Sequence, residues 1–255
     1  MIKAERQNKI QMLLEARGTV SVKEIADSLG VSDMTVRRDL EDLSRDGLLE
    51  RVHGGARRIS GASGMTLPHE YSHSEKRVRN TDAKLEIARR AVELVSAGQT
   101  VFLGTGTTIE QMVNLLPVHP LRIVTNSLSV FNLLENRDDY ELCLVGGLYR
   151  RRTAAFVGPM AEEAVSSLGI DVAFIGANGI LDGAVSTSNM EEGKFQQLVF
   201  NMARTRYLVS DSSKFGRRDF YTFYRLEDVT ALVCEREVPD EELAEMAQYA
   251  EVITA

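Results

Sequence analysis

The chain is expected to be an α/β protein in two parts: a small N-terminal winged helix-turn-helix and a larger domain built on a mainly parallel sheet. Three observations lead there. Residues 22–46 hold two capped helical segments about Gly30, with apolar residues at helical spacing. An Arg-flanked hairpin signal, Val52-His53-Gly54-Gly55-Ala56, comes next. From about Glu75 onward, helical segments alternate with short apolar runs of strand length.

A length of 255 residues suits a small domain followed by a medium one. No run of about 18 apolar residues is present, so no membrane span is expected. The first residues, MIKAERQNKI, are charged and lack an apolar signal core, which points to the cytoplasm. Cys143 and Cys234 sit in apolar runs away from any His cluster and read as buried reduced thiols, so neither a metal nor another cofactor is expected. The net charge of −7 excludes a protein coated in nucleic acid, but its distribution is uneven. Residues 1–60 carry 11 Lys and Arg against 10 Asp and Glu, whereas the remainder carries 19 against 27. A near-neutral first domain with its arginines sorted onto one face can still bind phosphates, and an acidic second domain should face away from DNA.

Taken in order, residues 5–17 place Ile10, Leu13 and Leu14 at helical spacing, and Gly18 ends that helix. Ser21 and Glu24 form a capping-box signal before a short helix at 22–29. Gly30 turns the chain, Ser32 caps a third helix at 33–46, and Gly47 stops it. Strand runs at 48–52 and 56–59 flank the His53-Gly54-Gly55 turn. Residues 60–74, SGASGMTLPHEYSHS, have no period and read as a linker between domains at 1–59 and 75–255. In the second domain, helices at 82–97, 107–116, 127–136, 158–168, 189–204 and 239–249 are interleaved with TVFLG, LRIVTN, ELCLVGG, DVAFIGA, RYLVSD, VTALVCE and EVITA.

On the third helix, Val36, Leu40 and Leu43 fall at i, i+4 and i+7 and make a buried stripe. The opposite face carries Met34, Arg37, Arg38, Glu41 and Arg45. A helix that reads DNA needs this division: an apolar back for its own core and a front that reaches base edges and phosphates. The Arg fork pairs with guanine edges or with phosphate oxygens. Ser32 and Thr35, in the first turn, can donate to phosphate beside the exposed N–H groups of the helix start. Arg51, His53, Arg57 and Arg58 around Gly54-Gly55 would form a wing on the flanking backbone. The bland alternative is a solvated helix face with pairs such as Arg38 with Asp42; the order of elements argues against it. Asp39, toward the buried flank, is assigned to structure.

The run VFLG leads through Gly104 into Thr105-Gly106-Thr107-Thr108 and a helix. Such a turn presents backbone N–H groups and hydroxyls to an anion, and phosphate is the natural guest. The nucleotide fingerprints fit less well: Ile109 stands where a dinucleotide motif wants Gly, and no GK[ST] follows. Three other strand ends carry polar groups, Asn126-Ser127, Gly146-Gly147 and Asp211-Ser212-Ser213-Lys214. In an open α/β sheet they are expected to converge with that turn. Lys214 would add a point charge for phosphate, and Glu192, after Thr187-Ser188-Asn189, could accept sugar hydroxyls. Taken singly, these two residues are more often solvated surface charges; their place after strand-end loops brings the ligand reading level with that one.

The stretch VSDMTVRRDLEDLSRDGLLERVHGGARR closely resembles the DeoR family of bacterial transcription regulators. The family's TxRRDL helix is met by Thr35-Val36-Arg37-Arg38-Asp39-Leu40, and its VHGGA-type wing by Val52-His53-Gly54-Gly55-Ala56. LGTGTT, VTNSL, VGG, AFVG, FIGANGI and VSDSSKFG resemble strand ends of the family's sensor domain, whose fold is similar to sugar-phosphate isomerases and CoA transferases. The resemblance implies phosphate at Gly104, Thr105, Gly106, Thr107 and Thr108, with Asn126, Gly146, Gly147, Glu192 and Lys214 lining the rest. A looser resemblance, on GTGTTIEQ, AAFVGPMA, GAVSTS and DFYTFYRLEDVTALV, is to members that control lactose uptake through the phosphotransferase system, and implies tagatose 6-phosphate. Gly104 and Thr105 replace an acidic start common in relatives. The expected partners are operator DNA, a phosphorylated sugar and further copies of the chain, as a homodimer or homotetramer, with no membrane. The rival expectation is a sugar-phosphate isomerase with an accessory head, using Glu192 as base and Lys214 as electrophile.

Overall fold

The computed structural model describes residues 3–45, 49–52, 54–57 and 71–255, which fall into two units, Met1–His69 and Glu70–Ala255. In the first, α1 (Lys3–Arg17), β1 (Thr19–Ser21), α2 (Val22–Leu29), α3 (Asp33–Arg45), β2 (Glu50–Val52) and β3 (Gly55–Arg57) succeed one another. α2 starts with reciprocal capping: Ser21 Oγ accepts from the Glu24 N–H at 3.2 Å, and the Glu24 carboxylate accepts from the Ser21 N–H at 2.8 Å. Gly30 ends it at φ 64°, a left-handed conformation that glycine adopts without a Cβ penalty. Ser32 then caps α3, accepting from the Thr35 N–H at 3.3 Å.

Ile10, Leu14, Ile25, Val36, Leu40 and Leu43 form the small core behind α3. Asp39 is also buried, and its carboxylate accepts from Arg6 Nε and, at 3.0 Å, from Arg6 Nη2, tying α1 to α3. The hairpin has a third strand that periodicity did not suggest: β3 pairs antiparallel with β2 and with β1. At three residues, β1 is too short to show an alternation. His53, Arg58 and the linker positions 60–70 lie outside the described residues, as does the side chain of Arg45.

The second unit runs α4 (His73–Arg77), α5 (Thr81–Val92), β4 (Thr100–Leu103), α6 (Thr107–Val113), β5 (Leu121–Thr125), α7 (Leu128–Leu134), β6 (Tyr140–Leu144), β7 (Leu148–Arg150), β8 (Ala155–Val157), α8 (Pro159–Ser166), β9 (Val172–Gly176), β10 (Gly179–Leu181), β11 (Ala184–Thr187), α9 (Met190–Met202), β12 (Thr205–Val209), β13 (Tyr221–Arg225), β14 (Ala231–Cys234), α10 (Asp240–Met246) and β15 (Glu251–Thr254). Residues 72–74, read from sequence as the end of the linker, instead open α4 with a capping box of Ser72 and Glu75.

Seven strands form one parallel sheet in the order β15-β14-β12-β9-β4-β5-β6. Alternate residues serve opposite faces. Val101, Leu103, Val172 and Phe174 join a core with α5, α6 and α7, whereas Phe102, Ala173 and Ile175 join a second core with α8 and α9. Covering both faces is what lets such continuous apolar strands stay out of water. The shorter strands make two antiparallel additions, β10-β11-β13 and β7-β8. Among the described residues no helix is long and apolar enough to cross a membrane.

Gly55 marks the tightest strand approach of the first unit. A Cβ there would collide with the Val20 carbonyl and stand 2.9 Å from Ser21 Cα. Gly55→Ala is therefore expected to cost about 1–3 kcal/mol by overpacking. Denaturant unfolding of the full chain checks this, and an unchanged midpoint of the N-terminal transition would show that β1 does not press on β3.

Candidate functional site

On α3 the exposed front is largely unoccupied. Arg37 and Arg38 have no hydrogen-bond or ion-pair partner among the described residues. The pair Arg38–Asp42 does not form; Asp42 accepts from Lys3 Nζ at 2.7 Å. Met34 is 75% exposed beside them, and Ser32 and Thr35 share a hydroxyl contact of 2.9 Å at the helix start. On the wing, the Arg57 fork is closed on Glu50, with Nε and Nη2 donating at 2.8 and 2.9 Å. Both partners are exposed, so the pair contributes little and yields readily to a competing anion. Arg51 is half-buried.

In the second unit, β4 lies between β5 and β9, so the chain winds away from it in both directions. Loops leaving the carboxyl ends of β4 and β9 therefore diverge and leave a crevice. A cleft open to solvent is lined there by Thr105, Gly106, Thr107, Thr108, Glu192 and Lys214 of the expected set. Gly106 takes φ 133° and caps α6 without a side chain, while Thr107 and Thr108 are buried beside it. α6 has only seven residues.

Gly104, Asn126, Ser127, Gly146 and Gly147 do not line the cleft. Gly104 belongs to the sheet: its N–H donates to the Phe174 carbonyl at 3.0 Å. Asn126 Nδ2 donates to the Phe156 carbonyl at 2.9 Å, and Ser127 Oγ caps α7 by accepting from the Val130 N–H at 3.3 Å. Gly147 is packed closely under Val157 and Ala161, and Gly146 is exposed. These last four come after β5 and β6, on the far side of β4 from β9. Sequence places a residue at a strand end but does not give strand order.

What sequence reasoning missed is the segment that opens this unit. Tyr71, His73, Lys76, Arg79, Asn80 and Lys84 all line the cleft. A signal for it was present, since Ser72 and Glu75 repeat the Ser21 and Glu24 spacing. With Lys214 and Arg217 the wall carries five Lys and Arg against the carboxylates of Glu192 and Asp211. Glu192 is buried and held by Arg150 Nη1 at 3.1 Å and by the Thr153 hydroxyl. Asp211 is buried too. Burial alone would raise its pKa, but Lys214, hydrogen bonds from Ser213 and Asn80, and Lys84 hold it below the ordinary value.

Lys84 shows how crowded with cations the wall is. Burial pushes its pKa down to about 8 against the pull of Asp211, and Lys214, Arg79 and Lys76 add to the depression. Its Nζ donates to the backbone carbonyls of Lys76 and Arg79. Unfolded, the ordinary value is 10.5, so between about 8 and 10.5 the unfolded chain holds more protons. This group thus makes stability rise with pH across that window and fall as pH drops through about 8. The thermal midpoint of the wild type is expected to climb relative to that of Lys84→Met over the same range; a falling difference would exclude a desolvated ammonium.

Comparison with known proteins fits both units. The DeoR-like helix-turn-helix domain matches residues 6–62, and the DeoR C terminal sensor domain matches residues 79–236. The chain is 40% identical over 258 residues to the lactose phosphotransferase system repressor of Lactococcus lactis subsp. lactis, covering 100% of both. It is 38% identical to the repressor of that name from Streptococcus mutans serotype c, covering 99% of this chain and 100% of that one. Among solved structures, ribose 5-phosphate isomerase A from Methanocaldococcus jannaschii is 20% identical over 53% of this chain and 55% of its own, with a TM-score of 0.38. eIF2B beta from Chaetomium thermophilum is 11% identical over 66% and 54%, with a TM-score of 0.47. With both domains matched in order and relatives near 40% identity along its whole length, the chain belongs to the DeoR family of transcription regulators.

Proposed function

We propose that this chain represses a sugar-uptake or catabolic operon and leaves its operator when a phosphorylated sugar occupies the cleft. Residues 1–59 are the DNA head, and the chain from residue 75, with the preceding turn of α4, is the sensor. The observation that carries the reading is the cleft itself: five cations and the hydroxyls of Thr105, Thr107 and Thr108 at the sheet's switch point, within a domain that is acidic as a whole. A phosphate dianion satisfies such a wall, and Glu192 suits the hydroxyls of a sugar attached to it.

At the other end, Arg37, Arg38, Ser32, Thr35 and Met34 are the DNA-reading face, with Arg51 and Arg57 on flanking phosphates. A symmetric dimer or tetramer would present two heads to the two half-sites. Tagatose 6-phosphate is the first sugar to test, because full-length relatives are named lactose phosphotransferase system repressors.

In a gel-shift titration on the operator, Arg37→Ala and Arg38→Ala are each expected to weaken binding by about 1–3 kcal/mol, the scale of a lost bidentate contact. Lys214→Met should leave operator binding intact while raising the effector concentration needed for release. Operator binding indifferent to every sugar phosphate would sink the induction mechanism. Turnover of pentose or hexose phosphates by the purified protein would favour the isomerase reading, with Glu192 as base.

A further inference from the structure

Taking the cleft as a phosphate site, we propose that residues 71–80 form a clasp drawn onto it by its anionic occupant, and that the clasp passes occupancy to the chain leading to the DNA head. No residue of α4 is buried, so apolar packing does not hold the segment down. It is held by polar contacts. The His73 imidazole meets the Glu110 carboxylate, and the His73 N–H donates to the Arg152 carbonyl at 3.1 Å. Lys76 Nζ donates to Asn178 Oδ1 at 2.7 Å. Asn80 begins α5 in a left-handed conformation, φ 48°, yet its side chain does not cap that helix; it donates to Asp211 Oδ1 at 2.7 Å. Arg79 lies 4.4 Å over the Tyr71 ring.

Lys76 and Arg79 of the segment line the same cleft as Lys84, Lys214 and Arg217, and Lys84 Nζ donates to the Lys76 and Arg79 carbonyls. A phosphate dianion in the cleft would add charge-assisted hydrogen bonds from the segment's Lys76 and Arg79 to those from Lys214. Occupancy therefore tightens docking. The segment starts next to the division between the two units, at His69 and Glu70, so a change in its docking is applied directly to the connecting chain.

Hydrogen exchange of the full-length protein, read by mass spectrometry, tests this with inorganic phosphate and, separately, with tagatose 6-phosphate. Amides of residues 73–80 are expected to slow by about fivefold or more, while β4 and β5 stay unchanged. Glu110→Ala removes the partner of His73 without altering a residue that lines the cleft. It should abolish that slowing and raise the effector concentration for operator release by about tenfold, with effector-free operator affinity unchanged. Unchanged exchange over 73–80 with both anions, or release of E110A at the wild-type effector concentration, overturns the clasp. Slowed exchange with inorganic phosphate, but no operator release by any sugar phosphate, leaves the clasp standing and sinks the functional reading.

Discussion

A parallel sheet buried on both faces dictates the layout of the sensor unit. Every strand in it runs the same way, so every carboxyl end reaches the same edge, and each return must cross a face as a helix or longer connection. β4 is entered first and ends up in the middle, with β5 and β6 laid to one side and β9, β12, β14 and β15 to the other. The loops after β4 and β9 then part company, and the cleft is the space they leave. Its position is set by strand order; its chemistry is set by which residues end those strands.

That chemistry runs against the domain's average charge. Residues beyond 60 carry a clear acidic excess, yet the cleft wall gathers Lys76, Arg79, Lys84, Lys214 and Arg217. Assembling these cations is unfavourable without an anion. Asp211 offsets part of the cost at the centre, and two backbone carbonyls solvate the Lys84 ammonium. A wall arranged this way discriminates by charge before it discriminates by shape.

Legibility differed sharply between the two units. Ser21, Glu24, Gly30 and Ser32 announced α2 and α3 because caps and turns are set by residues three or four apart. Asp39 was assignable to structure from its place on the helix flank, and its pairing with Arg6 agrees. Asn126 and Ser127 sit at a strand end yet bond to the Phe156 carbonyl and cap α7, and Gly147 packs under Val157 and Ala161, so a place at a strand end does not by itself bring a residue to the cleft. Residues 71–74 were hidden for the opposite reason. A helix with no buried face leaves no periodic trace, and only the Ser72 and Glu75 spacing betrayed it.

The sequence by itself determined the local pieces: capped helices, the buried stripe of Val36, Leu40 and Leu43, the alternation of strand and helix, and the Thr105–Thr108 turn. Each depends on neighbours within about a turn of chain, where spacing alone carries the physics. Tertiary structure alone decided which strand ends share a cleft, that Arg57 is closed on Glu50 while Arg37 and Arg38 stay open, and that Lys76, Arg79 and Lys84 face Lys214. Those outcomes join residues as far as 138 positions apart in the chain, from Lys76 to Lys214, through strand order and side-chain competition, neither of which has a local signature.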